Sequence, residues 1–201
     1  MTQQQIGFLI GGSALFILIV MAIMIYNRLV QLSVGYTNGF AQIDVQLRRR
    51  HDLIPNLVEI AKGYMAHESK TLEAVIAARN VASAGLKAAA ANPGDPAALS
   101  ALQGSEGQLT GALGRLFAVA EAYPDLKANQ NMMQLTEELT TTENRISFAR
   151  QAFNDAVMTF NTYRRTFPPI AFAWIFGYSR DAAVLDLGGK AMLDVAPQVK
   201  F

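Results

Sequence analysis

An uncharged run from Ile6 to Ile25, IGFLIGGSALFILIVMAIMI, limits what this chain can fold into more than any other feature. As a helix rising 1.5 Å per residue it is about 30 Å long, the thickness of a bilayer's hydrocarbon core. A helix buried in a soluble core seldom runs that far without a polar face, so the run reads as a transmembrane helix. A cleaved secretory signal would open on basic residues and close on a small-residue site. Met1 to Gln5 carries no charged side chain, and Tyr26-Asn27-Arg28 offers no such site, so the expectation is an uncleaved anchor. Gly7 and Gly11 match the small-residue pattern through which membrane helices pair, a pattern that also recurs by chance. Arg28 and then Arg48-Arg49-Arg50 follow the run, and basic residues beside a span are retained in the cytoplasm. The expected topology is single-pass, with residues 1–5 outside and everything after 25 in the cytoplasm.

The 201 residues leave, after a span over 6–25, enough chain for one helical core. A formal net charge of +1 creates no global field that would draw the chain onto nucleic acid. The absence of cysteine removes disulfides, thiolate metal sites and cysteine nucleophiles together.

Turn residues divide the remainder. Asn92-Pro93-Gly94-Asp95-Pro96 breaks the chain once, Tyr123-Pro124-Asp125 again, and Phe167-Pro168-Pro169 ends the last long helix. Between the first two breaks Leu99, Leu102, Leu109, Leu113, Leu116 and Ala120 keep a three-four spacing interrupted only by Glu106. Asp95 is a good N-cap for that helix, with Pro96 at its first position. The next stripe runs from Met132 through Leu139, Ile146, Phe153 and Phe160 to Phe167 in steps of three and four. It could pair between molecules as a coiled coil, but neighbouring stripes and short connections favour an intramolecular bundle. The stripe Phe40, Ile43, Leu47, Ile54, Leu57 and Ala61 crosses Pro55. Proline inside a helix removes a hydrogen bond, so a boundary is expected between Arg50 and Leu53, with Asp52 capping a new helix that runs to about Ala91. A single kinked helix ending near His67 is the alternative. No stretch alternates as a strand does. The expected fold is all-α: an N-terminal transmembrane helix continuing into an antiparallel four-helix bundle over residues 26–167.

Such a bundle brings the chain back to the membrane at Phe167. There Ile170 to Tyr178 is apolar and aromatic and holds the sole tryptophan, Trp174. It is too short to span a bilayer; it suits an interfacial anchor or a plug for the bundle's end. Residues 168–187 are therefore read as a membrane-proximal segment, with Tyr26, Arg28, Phe172, Trp174, Phe176 and Tyr178 at the interface, and 188–201 as a loosely ordered tail.

The chemistry is sparse. Two histidines with no Glu-x-x-His partner do not encode the di-iron site that some bundles carry, and no phosphate loop or nucleophile elbow is present. The glycines from Gly104 to Gly114 lie on a helix and read as sites of close helix packing. His67-Glu68 reads as a solvated pair. Neither an enzyme nor a cofactor is expected. The sharpest polar feature is Arg48-Arg49-Arg50-His51. It could complement the dipole of a helix ending there, meet an anionic lipid head if the helix bends, or dock an acidic partner. Nucleic acid is not expected, since no aromatic residue interleaves with the cluster.

The run Ala41-Gln42-Ile43-Asp44-Val45-Gln46-Leu47-Arg48-Arg49-Arg50-His51-Asp52-Leu53-Ile54-Pro55-Asn56-Leu57-Val58 closely resembles the hallmark stretch of the LemA family. The likeness extends to Tyr26-Asn27-Arg28, Gly63-Tyr64-Met65-Ala66-His67-Glu68, Ala78-Arg79-Asn80, Glu121-Ala122-Tyr123-Pro124-Asp125, Phe153-Asn154 and the ending Pro197-Gln198-Val199-Lys200-Phe201. Phe153 departs from the tyrosine expected there. The resemblance implies a bacterial inner-membrane protein with one span and a helical bundle, and one branch of that family belongs to magnetosome membranes. The resemblance names a family more than a mechanism; the function expected from the architecture is a non-enzymatic membrane scaffold or interaction protein, in contact with the lipid bilayer and with either further copies of itself or another membrane-associated protein. An accessory subunit that regulates a membrane enzyme such as a protease is the alternative.

Overall fold

The computed structural model describes residues 3–65 and 67–187, and the expectation for the tail at 188–201 lies outside the described residues. Six helices follow one another: α1 Gln3–Tyr64, α2 Ser69–Ala91, α3 Pro96–Ala120, α4 Pro124–Lys127, α5 Gln130–Arg165 and α6 Pro169–Ala173. The described residues contain no strand, as the spacing predicts.

The boundary expected between Arg50 and Leu53 is not there. α1 is one helix of 62 residues that carries Pro55 in its interior, about 93 Å long at the standard rise. The rule that argues for a break concerns the carbonyl four residues earlier, which proline cannot satisfy. That carbonyl belongs to His51, and it accepts a hydrogen bond of 3.1 Å from Nε of Arg79 on α2. A side chain from a neighbouring helix thus supplies the donor that Pro55 lacks, and the helix continues to Tyr64. The second helix begins only at Ser69, after the turn that holds His67.

The starts of α3 and α5 follow their sequence. Asp95 accepts the N–H of Ala98 at 2.7 Å with Pro96 at the first position, and Asn129 accepts the N–H of Met132 at 3.1 Å. Each cap satisfies a donor the helix cannot.

α5 lies antiparallel along α1, the broadest helix contact, and α2 and α3 form a hairpin that packs on α1 through α2. The hairpin is the shorter pair. Its turn reaches only to Tyr36, so close that a Cβ on Gly94 would come within 3.1 Å of the Tyr36 hydroxyl. The core divides into two apolar bodies. The one nearer the apolar N-terminal run of α1 centres on Phe40, Ile43, Leu102, Phe153 and Phe160, the distal one on Ile54, Leu57, Leu109, Leu116 and Leu126. The stripe on α5 is buried as expected at Met132, Leu139, Ile146, Phe153 and Phe160, but its last member, Phe167, is 85% exposed.

The glycines between Gly104 and Gly114 do not admit close packing: a Cβ at Gly104, Gly107, Gly111 or Gly114 would meet nothing within 4 Å. Close approach occurs instead at Gly85, where a Cβ would lie 2.7 Å from Ser105 Oγ, and at Gly39, 3.2 Å from the Cα of Phe153.

Candidate functional site

Four of the residues predicted as a docking cluster divide between surface and interior. Successive helix positions point about 100° apart, so a run of four must turn some members inward. Arg48 and Arg49 stay exposed; Arg50 and His51 are buried, between the two apolar bodies of the core. The helix continues well past them, so they do not serve a helix end, and burial removes Arg50 and His51 from any docking surface.

The two buried residues meet Glu106. His51 Nε2 lies 2.8 Å from Glu106 Oε1, and Arg50 Nη1 lies 3.4 Å from Oε2. Arg50 also donates to Thr110 Oγ1 at 2.9 Å and reaches Glu143 on α5 at 3.1 Å. Three helices are joined across one layer: α1 through Arg50 and His51, α3 through Glu106 and Thr110, α5 through Glu143. A buried charge is tolerated only when paired and hydrogen-bonded, and this layer meets that condition. Glu106 is the residue that interrupts the apolar stripe of α3, so the sequence marks the layer on one side. Its partners are 55 and 56 residues away.

The exposed pair is tied within the chain. Both oxygens of Asp44 accept from Arg48 Nε at 2.9 Å, and Arg49 lies 3.7 Å from Glu138 on α5. The hydrogen bond to Asp44, and then its charge, hold the Arg48 guanidinium above its ordinary value, so Arg48 stays cationic. Beside the layer, α3 and α5 diverge into a trough of about 720 Å³ lined by Gly107, Gly114, Phe117, Leu139 and Glu143. Among the described residues no three His, Asp or Glu side chains converge as metal ligands would.

At the end nearer the apolar run of α1 the aromatic segment has two sides. Phe172, Phe176 and Tyr178 are half-buried on the core: Phe176 meets the ring of Tyr26 edge-on at 5.2 Å, and Tyr178 meets Phe160 at 5.7 Å. Trp174 faces away from the protein. Arg28 is exposed and donates to Gln31 at 2.7 Å.

After Tyr178 the chain turns back along α5. Asn161 accepts from and donates to the backbone of Ala182, and Asn154 does the same for Leu185, all four bonds at 2.9 Å. Seven residues of helix and three of extended chain both cover about 10 Å, which is why the register matches. Gln103 of α3 donates to the carbonyl of Asp186, and Asp181 pairs with Arg164 and Arg165. Asn154 lies in a motif singled out above; its service to Leu185 has no local signature.

The apolar run of α1 is the remaining surface. Leu9–Tyr64 includes a stretch long and apolar enough to cross a membrane, and only 6% of that stretch is buried by the rest of the chain. Two magnetosome proteins of Paramagnetospirillum magneticum, MamQ 2 and MamQ 1, are each 27% identical to this chain over 176 residues, covering 79% of it. The chain spans 64% of the length of those two relatives. MamQ of Magnetospirillum gryphiswaldense is 28% identical over 191 residues, 88% of this chain and 70% of that protein. The membrane-length helix and these relatives make this a membrane-associated helical protein. The LemA family's own sequence profile matches residues 39–201, which takes in α2 to α6 and the bundle part of α1 up to Tyr64, and the chain therefore belongs to the LemA family.

Proposed function

We propose that this chain is a membrane-anchored scaffold: one span over residues 6–25, a bundle on the cytoplasmic side of a bacterial inner membrane, and a distal surface that docks further copies. The observation that carries the reading is the unbroken course of α1. A helix shared by the span and by the core of the bundle transmits the orientation of one to the other without a hinge, which is what an assembly of fixed geometry on a bilayer requires. Docking falls to Arg48 and Arg49, the two cluster members left exposed. Similarity to the magnetosome proteins MamQ supports the reading of a membrane-associated helical protein.

A second reading, an accessory subunit of another membrane protein, is favoured by the trough between α3 and α5, which leaves Gly107, Gly114 and Phe117 open to a partner segment. Light scattering on the full-length chain in mild detergent, with and without Arg48→Glu/Arg49→Glu, separates the two. A discrete oligomer that the double substitution dissociates supports the scaffold. A monomer in both samples overturns self-assembly and directs the search to a partner.

A further inference from the structure

The outer side of the aromatic segment is the most unusual surface outside the span. Residues 167–177, FPPIAFAWIFG, contain no charged or hydrogen-bonding side chain except the indole N–H of Trp174. Their inner side is already used, with Ala173 and Pro169 buried on the core. Their outer side should then be polar if it faced water, and it is not: Phe167 is 85% exposed, Trp174 69%, Ile175 59% and Ile170 52%. Isolated exposed apolar residues are ordinary, whereas a contiguous patch of four large ones marks a surface that something covers.

What covers it follows from continuity with the span. Phe16, Val20 and Met24 of α1 face Phe167, Pro168 and Pro169 across an open trough of about 570 Å³. From Phe16 to Met24 is about 12 Å along the helix, so the segment descends beside the second half of the apolar run, not above its end. Whatever solvent surrounds Phe16 and Val20 also surrounds Phe167. The charges agree on the level at which that solvent changes. Arg28 ends the uncharged stretch of α1, Arg164 and Arg165 precede the segment, and Arg180 follows it. Arg28 shares a groove with Thr162 and Thr166, which puts both elements' polar boundaries at one height.

We infer that Phe167–Ile175 is a second membrane element, sunk into the bundle-side leaflet against the span, with lipid acyl chains filling the trough between them. Such an element occupies one leaflet only, and so widens the protein's cross-section on the bundle side. The inference rests on the span proposed above.

Trp174, the sole tryptophan, reports on it in the native sequence. The full-length chain is reconstituted into phosphatidylcholine–phosphatidylglycerol vesicles, with ordinary or dibrominated acyl chains, and floated on a density gradient. The expected result is flotation, loss of at least half the Trp174 emission in brominated vesicles, and several-fold weaker quenching by acrylamide than for a Trp174→Phe/Phe148→Trp reporter. Phe148, 74% exposed on α5, lies far from the span. Flotation with Trp174 quenched by acrylamide but not by bromolipid would overturn the inference and leave the span standing. Shielding from both quenchers would mean that protein covers the patch, and would overturn it equally. Failure to float would remove the span itself.

Discussion

His51 and Glu106 meet at 2.8 Å with side chains only 3% exposed, in a buried polar layer that also holds Arg50. The pair divides the core into two bodies and sets the register of α1 against α3, because a shift of one turn would carry each residue into hydrocarbon packing. Buried ion pairs such as Arg50 with Glu106 stabilise little in themselves, since desolvation cancels most of the attraction; the cost appears when one partner is lost.

Glu106→Leu leaves Arg50 and His51 in the interior without their shared acceptor, and the expected loss is about 3–5 kcal/mol. Arg50 keeps Glu143, so the lower part of that range is expected. Glu106→Gln keeps the shape and should lose less. Chemical unfolding of the full-length chain in detergent measures both. The combination Arg50→Met/His51→Leu/Glu106→Leu should regain most of the loss, because an apolar layer has nothing left to solvate. A triple variant no more stable than Glu106→Leu would show that the layer contributes more than paired charge.

Much of the architecture is legible in the sequence because helix spacing, caps and the uncharged run are local signals. The apolar stripes of α3 and α5 and the Asp95 cap follow from residues a few positions apart. What is not legible depends on partners far along the chain. Glu106 is visible as an interruption of a stripe, but nothing near it says that Arg50 and His51 are its partners. A run of four cationic or titratable residues on a helix looks like a surface cluster until the helix's rotation against its neighbours is known. The glycines of α3 mislead for the same reason, since their spacing carries no information on which side faces a neighbour.

Those glycines allow a stabilising change. Gly104 and Gly111 sit in helix interiors, exposed, with open space where a Cβ would go. Alanine at each should raise stability by about 0.4–1 kcal/mol, through the lower entropy of the unfolded chain. Gly85→Ala should do the opposite, because its Cβ would press on Ser105 Oγ, itself bonded to the carbonyl of Leu102 at 2.9 Å. Thermal unfolding of the three variants decides. Equal effects at Gly85 and Gly111 would mean that α2 and α3 pack less closely than described.

The two asparagines on α5 make a separate prediction about the extended segment. Asn154→Ala removes both side-chain bonds to Leu185, and Asn161→Ala both bonds to Ala182. Each loss is worth about 1–3 kcal/mol of local stability where backbone groups are left unpaired, and 1.4 kcal/mol is a tenfold change in the open population. Trypsin cleavage after the exposed Arg180 should therefore accelerate about tenfold or more in either variant, while global unfolding changes less. Unchanged cleavage would mean that the segment is held by its apolar contacts alone.

Pro55 and Arg79 supply the most discriminating test, because one residue's defect defines the other's role. Without Pro55, the carbonyl of His51 would accept an ordinary N–H from position 55; with it, the carbonyl depends on Arg79 Nε at 3.1 Å. Arg79→Ala in the native sequence should cost about 1.5–3 kcal/mol, the range for a hydrogen bond to a charged donor whose buried acceptor is left alone. In a Pro55→Ala background the same substitution should cost much less, since the helix then satisfies that carbonyl itself. The coupling in a double-mutant cycle is expected at about 1–2 kcal/mol. Arg79 also approaches Asp52 at 3.7 Å, but Asp52 is largely exposed and that contact persists in both backgrounds, so it cancels from the cycle. Additive effects would mean that Arg79 contributes only through Asp52 and packing, and that the continuity of α1 across Pro55 rests on its contacts with α5.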